Sequence, residues 1–393
     1  MRATKVQVRT GLEVFLATTS SELAGQQVGL ITNATGVDHH LHSTVDLLNA
    51  DTRIQLTSLF GPEHGIRGDV QAGVHISGQP DPRTGLPMFS LYGKSRRPAS
   101  DMLAGLDALI YDIQDLGTRY STYIATMVYA QEAAAEAGLT FVVFDRPNPI
   151  GGSAPAGNLL KSDFSSFIGI HPIPIQHGLT TGELARLIAT ERGWPAPLVV
   201  PMHGWQRNLW FDETDLPWVQ PTPNLPTLDS LTLYPGTCLF EGTRYSEGRG
   251  TTRPFELIGA PDLDSFELVA ELENRTIPGA IFRPVYFTPT FSKYAQQTCG
   301  GVQIHISDRQ ALHPVAVGLH LLHAVRTVSS VSLDWLQMAD GRYFIDLLAG
   351  SDQLRLALDA GDEVAEILTN WEAERATFQE RRRSCLLYKD EEE

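Results

Sequence analysis

A glutamate and a histidine stand side by side between two glycines in the stretch GPEHG, directly after an apolar, β-rich run. Gly61 and Gly65 permit backbone conformations that other residues avoid, and Pro62 fixes one φ angle. Such a turn would present Glu63 rigidly, and a carboxyl group held against apolar walls can act as a general acid near neutral pH. We therefore predict catalytic roles for Glu63 and His64. The alternative is that Glu63 caps the following turn and His64 packs in the core.

A second cluster lies in YDIQDLGTRYSTY, which combines acidic, basic and phenolic side chains around a glycine. One aspartate could orient the arginine, which would leave the other carboxylate and the tyrosines to contact a ligand. Alternatively, both aspartates pair with the arginine and cap the helix that follows. We predict that the aspartates are candidates for a second catalytic group and that the other three residues bind substrate: Asp112, Asp115, Arg119, Tyr120 and Tyr123.

Polar side chains also follow the other predicted strands. Asn33 comes directly after the run QVGLITN, and the stretch FDRPNPIGG places three polar side chains where a strand turns sharply. Asp145, Arg146 and Asn148 could hydrogen-bond sugar hydroxyls, although the two prolines of this stretch make a purely structural turn the alternative. His177 precedes a predicted helix N-terminus and has either a ligand-binding or a structural role. We predict that all five residues bind substrate.

The glycine-rich loop EGTRYSEGRGTTRPF carries three arginines and two glutamates. An arginine side chain forms a planar fork that matches a carboxylate or phosphate, so the loop could hold an anion. Arg244, Glu247 and Arg249 are predicted to bind substrate, and an internally salt-bridged loop is the alternative. The loop is neither a Walker A motif nor a GxGxxG turn after a strand, so nucleotide binding is not indicated.

The elements that must position these side chains alternate between strand and helix. The strand-like runs are apolar on both faces, as in a parallel sheet covered by helices on each side, and two of the helix-like segments end at a glycine. Ligands of such sheets bind outside the carboxyl ends of the strands, which is where the polar clusters fall. The predicted strands are 26–32, 54–60, 108–115, 140–149 and 197–205, and the predicted helices are 43–50, 120–138 and 180–193.

The alternation of strand-like and helix-like segments changes after the proline-rich stretch 220–230. Two strand-like runs, 279–291 and 300–308, are followed by helix-like stretches at 313–328 and near 361–384. We therefore predict an N-terminal catalytic domain over residues 1–244 and a smaller α+β domain over 245–393 that closes the cleft.

Composition limits the class of partner. The chain of 393 residues has 46 acidic and 30 basic residues and a formal net charge of -16, which disfavours binding to nucleic acid or anionic lipid. No run approaches the roughly 18–20 apolar residues of a membrane helix, and no apolar signal segment opens the sequence. The expected location is cytoplasmic. His39, His40 and His42 lack partners at ligand spacing, and the three cysteines form no CxxC motif, so no metal site is predicted.

Six motifs in order resemble the NamZ-type exo-β-N-acetylmuramidases, a family first catalogued as a domain of unknown function. The resemblance runs from about residue 10 to the C-terminus and rests on LITNATGVD, SLFGPEHGIRGDVQAG, YDIQDLGTRYSTY, FDRPNPIGG, IQHGLTTGELA and FEGTRYSEGRGTTRPFELIGAP. It implies a Rossmann-like N-terminal domain, a smaller C-terminal domain and an active-site cleft between them. It also implies release of N-acetylmuramic acid from the non-reducing end of peptidoglycan-derived sugars, in cell-wall turnover, without a cofactor or metal.

The resemblance assigns chemistry to some of the predicted residues. Glu63 matches the glutamate of the family's GPEHG motif and is the candidate acid. The second group could be Asp112, Asp115 or Glu247, or the substrate's own acetamido oxygen. The lactyl carboxylate of the sugar requires a cation, for which the candidates are Arg119, Arg146, Arg244 and Arg249.

Two questions stay open at the level of sequence. A non-catalytic muropeptide-binding protein would keep the same cleft, and a different α/β hydrolase is disfavoured by the lack of a GxSxG elbow. Relatives commonly carry export signals, so a cytoplasmic protein of this family would act on imported muropeptides. The sequence predicts no oligomeric state.

Overall fold

The computed structural model describes residues 5–18, 22–63, 65–67, 80–93, 95–153, 155–329 and 333–388. His64 lies outside the described residues. The strands are β1 Gln27–Thr32, β2 Gln55–Gly61, β3 Met88–Ser90, β4 Ala108–Asp112, β5 Thr140–Phe144, β6 Ala156–Leu159, β7 Pro174–Gln176, β8 Leu198–Val200, β9 Leu257–Ala260, β10 Ala280–Phe287 and β11 Cys299–Ile306. The α-helices are α1 Gly11–Ala17, α2 Thr44–Ala50, α3 Thr122–Ala137, α4 Thr181–Arg192, α5 Leu228–Thr237, α6 Ser265–Glu273, α7 Pro314–Val328, α8 Phe344–Ala349, α9 Gln353–Ala360, α10 Val364–Asn370 and α11 Glu372–Arg382.

Six parallel strands form the main sheet in the order β3-β2-β1-β4-β5-β8. Successive residues of the central strand β1 point to opposite faces, and both faces are buried: Leu30 packs in one apolar core and Ile31 in the other. Helices α1 and α2 cover the first face, and α3 and α4 cover the second. Burying a side chain of this size stabilises the fold by roughly 1.5–3 kcal/mol. The predicted α/β fold with a mostly parallel sheet is confirmed.

The helix boundaries follow the glycine and threonine signals in the sequence. Gly138 and Gly193 adopt left-handed conformations with φ of 70° and 68° and end α3 and α4. Thr180 caps α4 in a capping box with Glu183. The predicted strand runs 108–115, 140–149 and 197–205 end earlier than expected, at Asp112, Phe144 and Val200, and the residues that follow form loops.

The C-terminal part is built on an antiparallel sheet of three strands in the order β10-β11-β9. Helix α5 packs against α7 at Gly236 and Gly318, where a Cβ atom on either residue would collide with the other helix's backbone. The predicted helix near 361–384 is interrupted at Trp371 and forms α10 and α11. The domain boundary at residues 244 and 245 stays a prediction.

The end of the chain packs back onto the first part of the molecule. Phe378 and Cys385 lie in the core beneath α3 and α4, and Tyr388 reaches the end of β5. No helix among the described residues is both long and apolar enough to cross a membrane.

Candidate active site

A cavity of about 730 Å³ opens beyond the carboxyl ends of β2 and β4. Its walls come from the loops after these strands, from the first two turns of α3 and from the C-terminal part of the chain. Four of the predicted site residues line it: Glu63, Tyr120, Tyr123 and Arg249. The volume lies within the range of pockets that hold small ligands, roughly 300–1,000 Å³.

Glu63 projects from a tight turn that follows β2. The backbone N–H of Gly65 donates to the carbonyl oxygen of Pro62 at 3.0 Å, and Gly65 has a φ of 77°, which other residues rarely adopt. Oε2 of Glu63 accepts a hydrogen bond of 3.0 Å from the hydroxyl of Thr122, the first residue of α3. The carboxyl group therefore lies at the N-terminus of α3.

Two tyrosines flank this carboxyl group. Burial raises the pKa of Tyr92, and the charge of Glu63 and a hydrogen bond to it raise this pKa further. Burial likewise raises the pKa of Tyr123, with a smaller contribution from the charge of Glu63. The Tyr123 hydroxyl donates to the carbonyl oxygen of Pro221 at 2.6 Å. Both phenols therefore stay protonated at neutral pH and can act as hydrogen-bond donors.

One side of the cavity is an aromatic wall, formed by Tyr92, Arg96, Tyr129 and Phe167. The rings of Tyr129 and Phe167 are stacked at 11° with centroids 6.3 Å apart, and Tyr92 lies 6.3 Å from Phe167 at a tilt of 50°. The guanidinium carbon of Arg96 lies 4.3 Å from the Phe167 ring centroid. Apolar rings beside polar groups suit the mixed surface of a sugar.

The opposite side carries a cluster of charges from the glycine-rich loop. Arg249 lies 2.7 Å from Glu241 and 3.3 Å from Glu247, and its guanidinium covers the ring of Phe255 at 5.1 Å. Glu247 is 2% exposed and also pairs with Lys293 at 3.0 Å. Burial lowers the pKa of Arg249, but Glu241 and Glu247 outweigh it and raise the pKa above its ordinary value. Glu241 and Arg249 line the cavity, and Glu247 supports them from behind.

Asp112 and Arg146 form a buried ion pair instead of facing the cavity. Nε of Arg146 lies 2.6 Å from Oδ1 of Asp112, and Nη2 lies 3.0 Å from Oδ2. The hydroxyl of Thr44 donates to the same carboxylate at 2.5 Å. Asp112 is fully buried, so the pair joins the ends of β4 and β5 to the start of α2.

Asp115 pairs with His177 behind the cavity. Oδ2 of Asp115 accepts from the backbone N–H of Gly117 at 2.8 Å and lies 3.1 Å from Nε2 of His177. Nδ1 of His177 accepts from the backbone of Leu179, so its proton lies on Nε2 and points to Asp115. Oδ1 of Asp115 is buried without a hydrogen-bond partner among the described residues.

Asn33 and Asn148 make local turn contacts, and Asn33 also hydrogen-bonds the side chain of Tyr123. Oδ1 of Asn33 accepts from the backbone and hydroxyl of Thr35 at 2.9 and 2.5 Å. Asn148 accepts from the backbone of Ile150 and donates to the carbonyl of Leu179. Both amides therefore shape the loops at the sheet edge and do not line the cavity.

Asp145 joins the end of β5 to two distant segments. It accepts hydrogen bonds from Tyr388 at 2.6 Å, Thr180 at 2.7 Å and the Gly182 backbone at 2.8 Å. Burial raises its pKa to about 6, although these hydrogen bonds favour the ionised form.

Two of the predicted arginines also bond within the protein. Arg119 donates to the carbonyl oxygens of Asn158, Ile173 and Leu348, and burial lowers its pKa to about 10, so it stays charged at pH 7. Through Leu348 it caps the end of α8, which lines the cavity. Arg244 pairs with Asp262 at 2.6 Å on the outer side of its loop. The pairing of Asp112 and Asp115 with Arg119, considered from sequence, does not occur in the structure.

Several residues that line the cavity were not among the site residues predicted from the sequence: Tyr92, Arg96, Thr122, Phe167 and Glu241. Arg96 and Phe167 lie in loops without a periodic or motif signal, and tertiary folding alone brings them together. Thr122 stands within the YDIQDLGTRYSTY motif, and its place at the start of a helix was the available signal.

The histidines of VDHHLHS have local partners. His39 lies 2.5 Å from Glu13 and 3.1 Å from Asp215, and His42 lies 3.0 Å from Asp38. Within the described ranges, no group of three or more histidine, cysteine, aspartate or glutamate side chains is placed to hold a metal ion.

Comparison with known proteins places this cavity in a family. Residues 28–229 match the model of the N-terminal part of the exo-β-N-acetylmuramidase NamZ, and residues 232–388 match the model of its C-terminal part. The chain is 45% identical over 387 residues to the peptidoglycan β-N-acetylmuramidase NamZ of Bacillus subtilis (strain 168), which covers 98% of this chain and 92% of that protein.

Two crystal structures of DUF1343 family proteins from Bacteroides fragilis NCTC 9343 share the fold. One has a TM-score of 0.90 and 36% identity and covers 98% of this chain and 100% of that one. The other has a TM-score of 0.79 and 30% identity, with coverage of 98% and 99%. Both family models and the curated relative agree with the resemblance of the six motifs. The chain therefore belongs to the NamZ family of exo-β-N-acetylmuramidases.

Proposed function

We propose that this protein releases N-acetylmuramic acid from the non-reducing end of peptidoglycan-derived sugars by hydrolysing the β-glycosidic bond. The observation that carries the proposal is the position of Glu63, whose carboxyl group projects from a stiff turn into a cavity of about 730 Å³. Thr122 and Tyr92 hold this group from two sides. Membership of the NamZ family supports the same reaction.

In this mechanism Glu63 is the general acid. Its proton passes to the glycosidic oxygen as the bond from that oxygen to the anomeric carbon breaks, and a water molecule supplies the hydroxyl group of the released sugar and gives its other proton to a carboxylate, either Glu63 or the second group. The developing positive charge on the sugar ring requires a second group that stabilises it or activates the water.

Glu241 joins the candidates for this second group. Among the described residues it is the other carboxylate that lines the cavity, and Arg249 holds it at 2.7 Å. Asp112 and Glu247 are engaged in buried ion pairs, and Asp115 lies behind the cavity wall, where its Oδ1 has no hydrogen-bond partner among the described residues. The substrate's acetamido oxygen is the alternative, in which case a carboxylate would orient it.

The test is product analysis by mass spectrometry with N-acetylmuramyl-β-1,4-N-acetylglucosamine, together with rate measurements on a chromogenic β-N-acetylmuraminide. Wild type should release free N-acetylmuramic acid, and Glu63→Gln should lower kcat by about 10²–10⁴-fold, the usual contribution of general acid catalysis. Glu136→Gln is the matched control, because Glu136 lies at the exposed end of α3 with 64% of its side chain accessible.

Three outcomes have distinct meanings. Loss of turnover in Glu63→Gln alone, with an unchanged melting temperature, supports the proposal. Turnover retained in folded Glu63→Gln rules out Glu63 as the acid. Binding of the disaccharide without cleavage by wild type would favour a non-catalytic muropeptide-binding protein.

A further inference from the structure

We propose that Arg96 binds the lactyl carboxylate of the terminal N-acetylmuramic acid and thereby selects this sugar over N-acetylglucosamine. The inference rests on the proposed function, since it names the group that recognises the substrate of that site. The sequence directed attention to four other arginines, and the structure places three of them, Arg119, Arg146 and Arg244, away from the cavity.

The charge balance of the cavity distinguishes its arginines. Arg249 is paired with Glu241 and Glu247, and Arg342 is paired with Asp340 at 2.7 Å. Arg96 has no carboxylate within ion-pair distance in the part of the chain that the structure describes. Among the described residues, Arg96 is therefore the arginine lining the cavity that has no carboxylate partner, so its charge can pair with an anionic ligand.

The aromatic wall holds Arg96 in a conformation suited to a carboxylate. The guanidinium carbon lies 4.3 Å from the centroid of the Phe167 ring, and Phe167 is stacked on Tyr129. A guanidinium that contacts a ring can still present N–H donors to a carboxylate, and its planar fork matches a carboxylate bidentately. The stacking also lowers the entropy that the arginine side chain loses on binding.

The same wall connects Arg96 to the reacting bond. Tyr92 contacts Phe167 and is hydrogen-bonded to Glu63, so Arg96 and the candidate acid face one binding space. The lactyl ether and the anomeric carbon belong to one sugar ring. A ring whose glycosidic oxygen approaches Glu63 can therefore direct its lactyl group along the aromatic wall. N-acetylglucosamine has a hydroxyl at that position and would leave Arg96 without an anionic partner.

The experiment compares wild type with Arg96→Gln, Arg96→Lys and Arg97→Gln. Isothermal calorimetry gives the dissociation constants of free N-acetylmuramic acid and free N-acetylglucosamine, and kcat and KM are measured on the chromogenic β-N-acetylmuraminide. Arg97 is the matched control, because it is the adjacent arginine but pairs with Glu132 and Glu136 on α3 and does not line the cavity.

We expect Arg96→Gln to weaken binding of N-acetylmuramic acid by about 10–100-fold, the range for losing a hydrogen-bonded charge pair. Binding of N-acetylglucosamine should stay within twofold of wild type, KM should rise more than kcat falls, and Arg96→Lys should restore part of the affinity. Arg97→Gln should behave as wild type in every measurement.

Equal losses for both sugars, or no loss for either, would overturn the inference. The binding measurement is independent of turnover, so wild type that binds N-acetylmuramic acid without cleaving its glycosides would refute the proposed function and still test Arg96. If Arg96→Gln does not fold, the comparison of Arg96→Lys with wild type tests the inference instead. Lysine keeps the charge but lacks the planar fork that binds a carboxylate bidentately.

Discussion

The hydroxyl of Thr122 donates a hydrogen bond of 3.0 Å to Oε2 of Glu63 and thereby joins the first turn of α3 to the loop after β2. Thr122 begins a helix whose next two turns pack into the core beneath the sheet. The position of the candidate acid is therefore tied to a helix of the buried core, although Glu63 itself lies in a loop.

Replacing Thr122 by valine removes this hydrogen bond with little change in volume. We expect kcat on the chromogenic β-N-acetylmuraminide to fall about fivefold, corresponding to the roughly 1 kcal/mol of one hydrogen bond, with little change in KM. Thr122→Ser keeps the hydroxyl and should retain most of the activity. A loss in Thr122→Ser together with full activity in Thr122→Val would show that the methyl group, and not the hydrogen bond, matters.

The ion pair of Asp112 and Arg146 should contribute strongly to folding stability. Arg146→Met leaves the carboxylate of Asp112 buried without its cation, and we expect the free energy of unfolding to fall by about 3–5 kcal/mol. Urea denaturation measures this change. The control is Arg383→Gln, whose ion pair with Glu380 is exposed and should contribute little. A small effect of Arg146→Met would mean that water or local rearrangement solvates Asp112.

Glu191 of α4 pairs with Arg381 of α11, and we expect this contact to weaken at acid pH. Burial raises the pKa of Glu191, but hydrogen bonds from His171 and Arg381 outweigh burial and lower the pKa from 4.5 to about 2. Since the folded pKa lies below the unfolded value, the stabilisation is fully present above pH 4.5 and is lost as the pH falls toward 2.

We therefore expect Glu191→Gln to be less stable than wild type in urea at pH 7, and the difference to shrink at pH 3. A stability difference that stays constant between these pH values would contradict the lowered pKa.

The contact between Tyr388 and Asp145 should depend on pH in a higher range, near pH 6. Burial raises the pKa of Asp145 to about 6, so the folded protein binds a proton there that the unfolded chain releases near pH 3.8. The group's contribution to stability therefore rises as the pH falls from 6 toward 3.8, and the carboxylate depends most on its donors above pH 6.

Tyr388→Phe removes a donor to the ionised form of Asp145. We expect this variant to lose more stability at pH 7.5 than at pH 5, measured as the shift in melting temperature relative to wild type at each pH. The same shift at both values would indicate that the lost hydrogen bond from the Met202 backbone N–H to the Tyr388 hydroxyl, and not the bond to Asp145, dominates.

Much of the architecture could be predicted from the sequence because its causes are local. Runs that are apolar on both faces require cover on both sides, so the parallel sheet with flanking helices follows from β1, β4 and β5. Glycines 138 and 193 end their helices where a left-handed residue is needed. The position of Glu63 at the carboxyl edge of the sheet follows from the same strand pattern.

The pairing of charges could not be predicted, because it depends on which loops meet in space. Asp112 and Asp115 stand near Arg119 in sequence, yet Asp112 pairs with Arg146, which follows the adjacent strand β5, and Asp115 pairs with His177, which follows β7 of a separate sheet. Similarly, nothing local indicates that α10 and α11 are separate helices.

The sequence by itself determined the family, the parallel sheet and the edge of that sheet at which polar residues gather, because strand periodicity and turn residues act over short distances. Only the tertiary structure decided which of those residues face the cavity. Most of the candidates became buried supports, since a charged group removed from water must find a partner within the protein. The aromatic wall with Arg96 arose from loops whose contact depends on the whole fold.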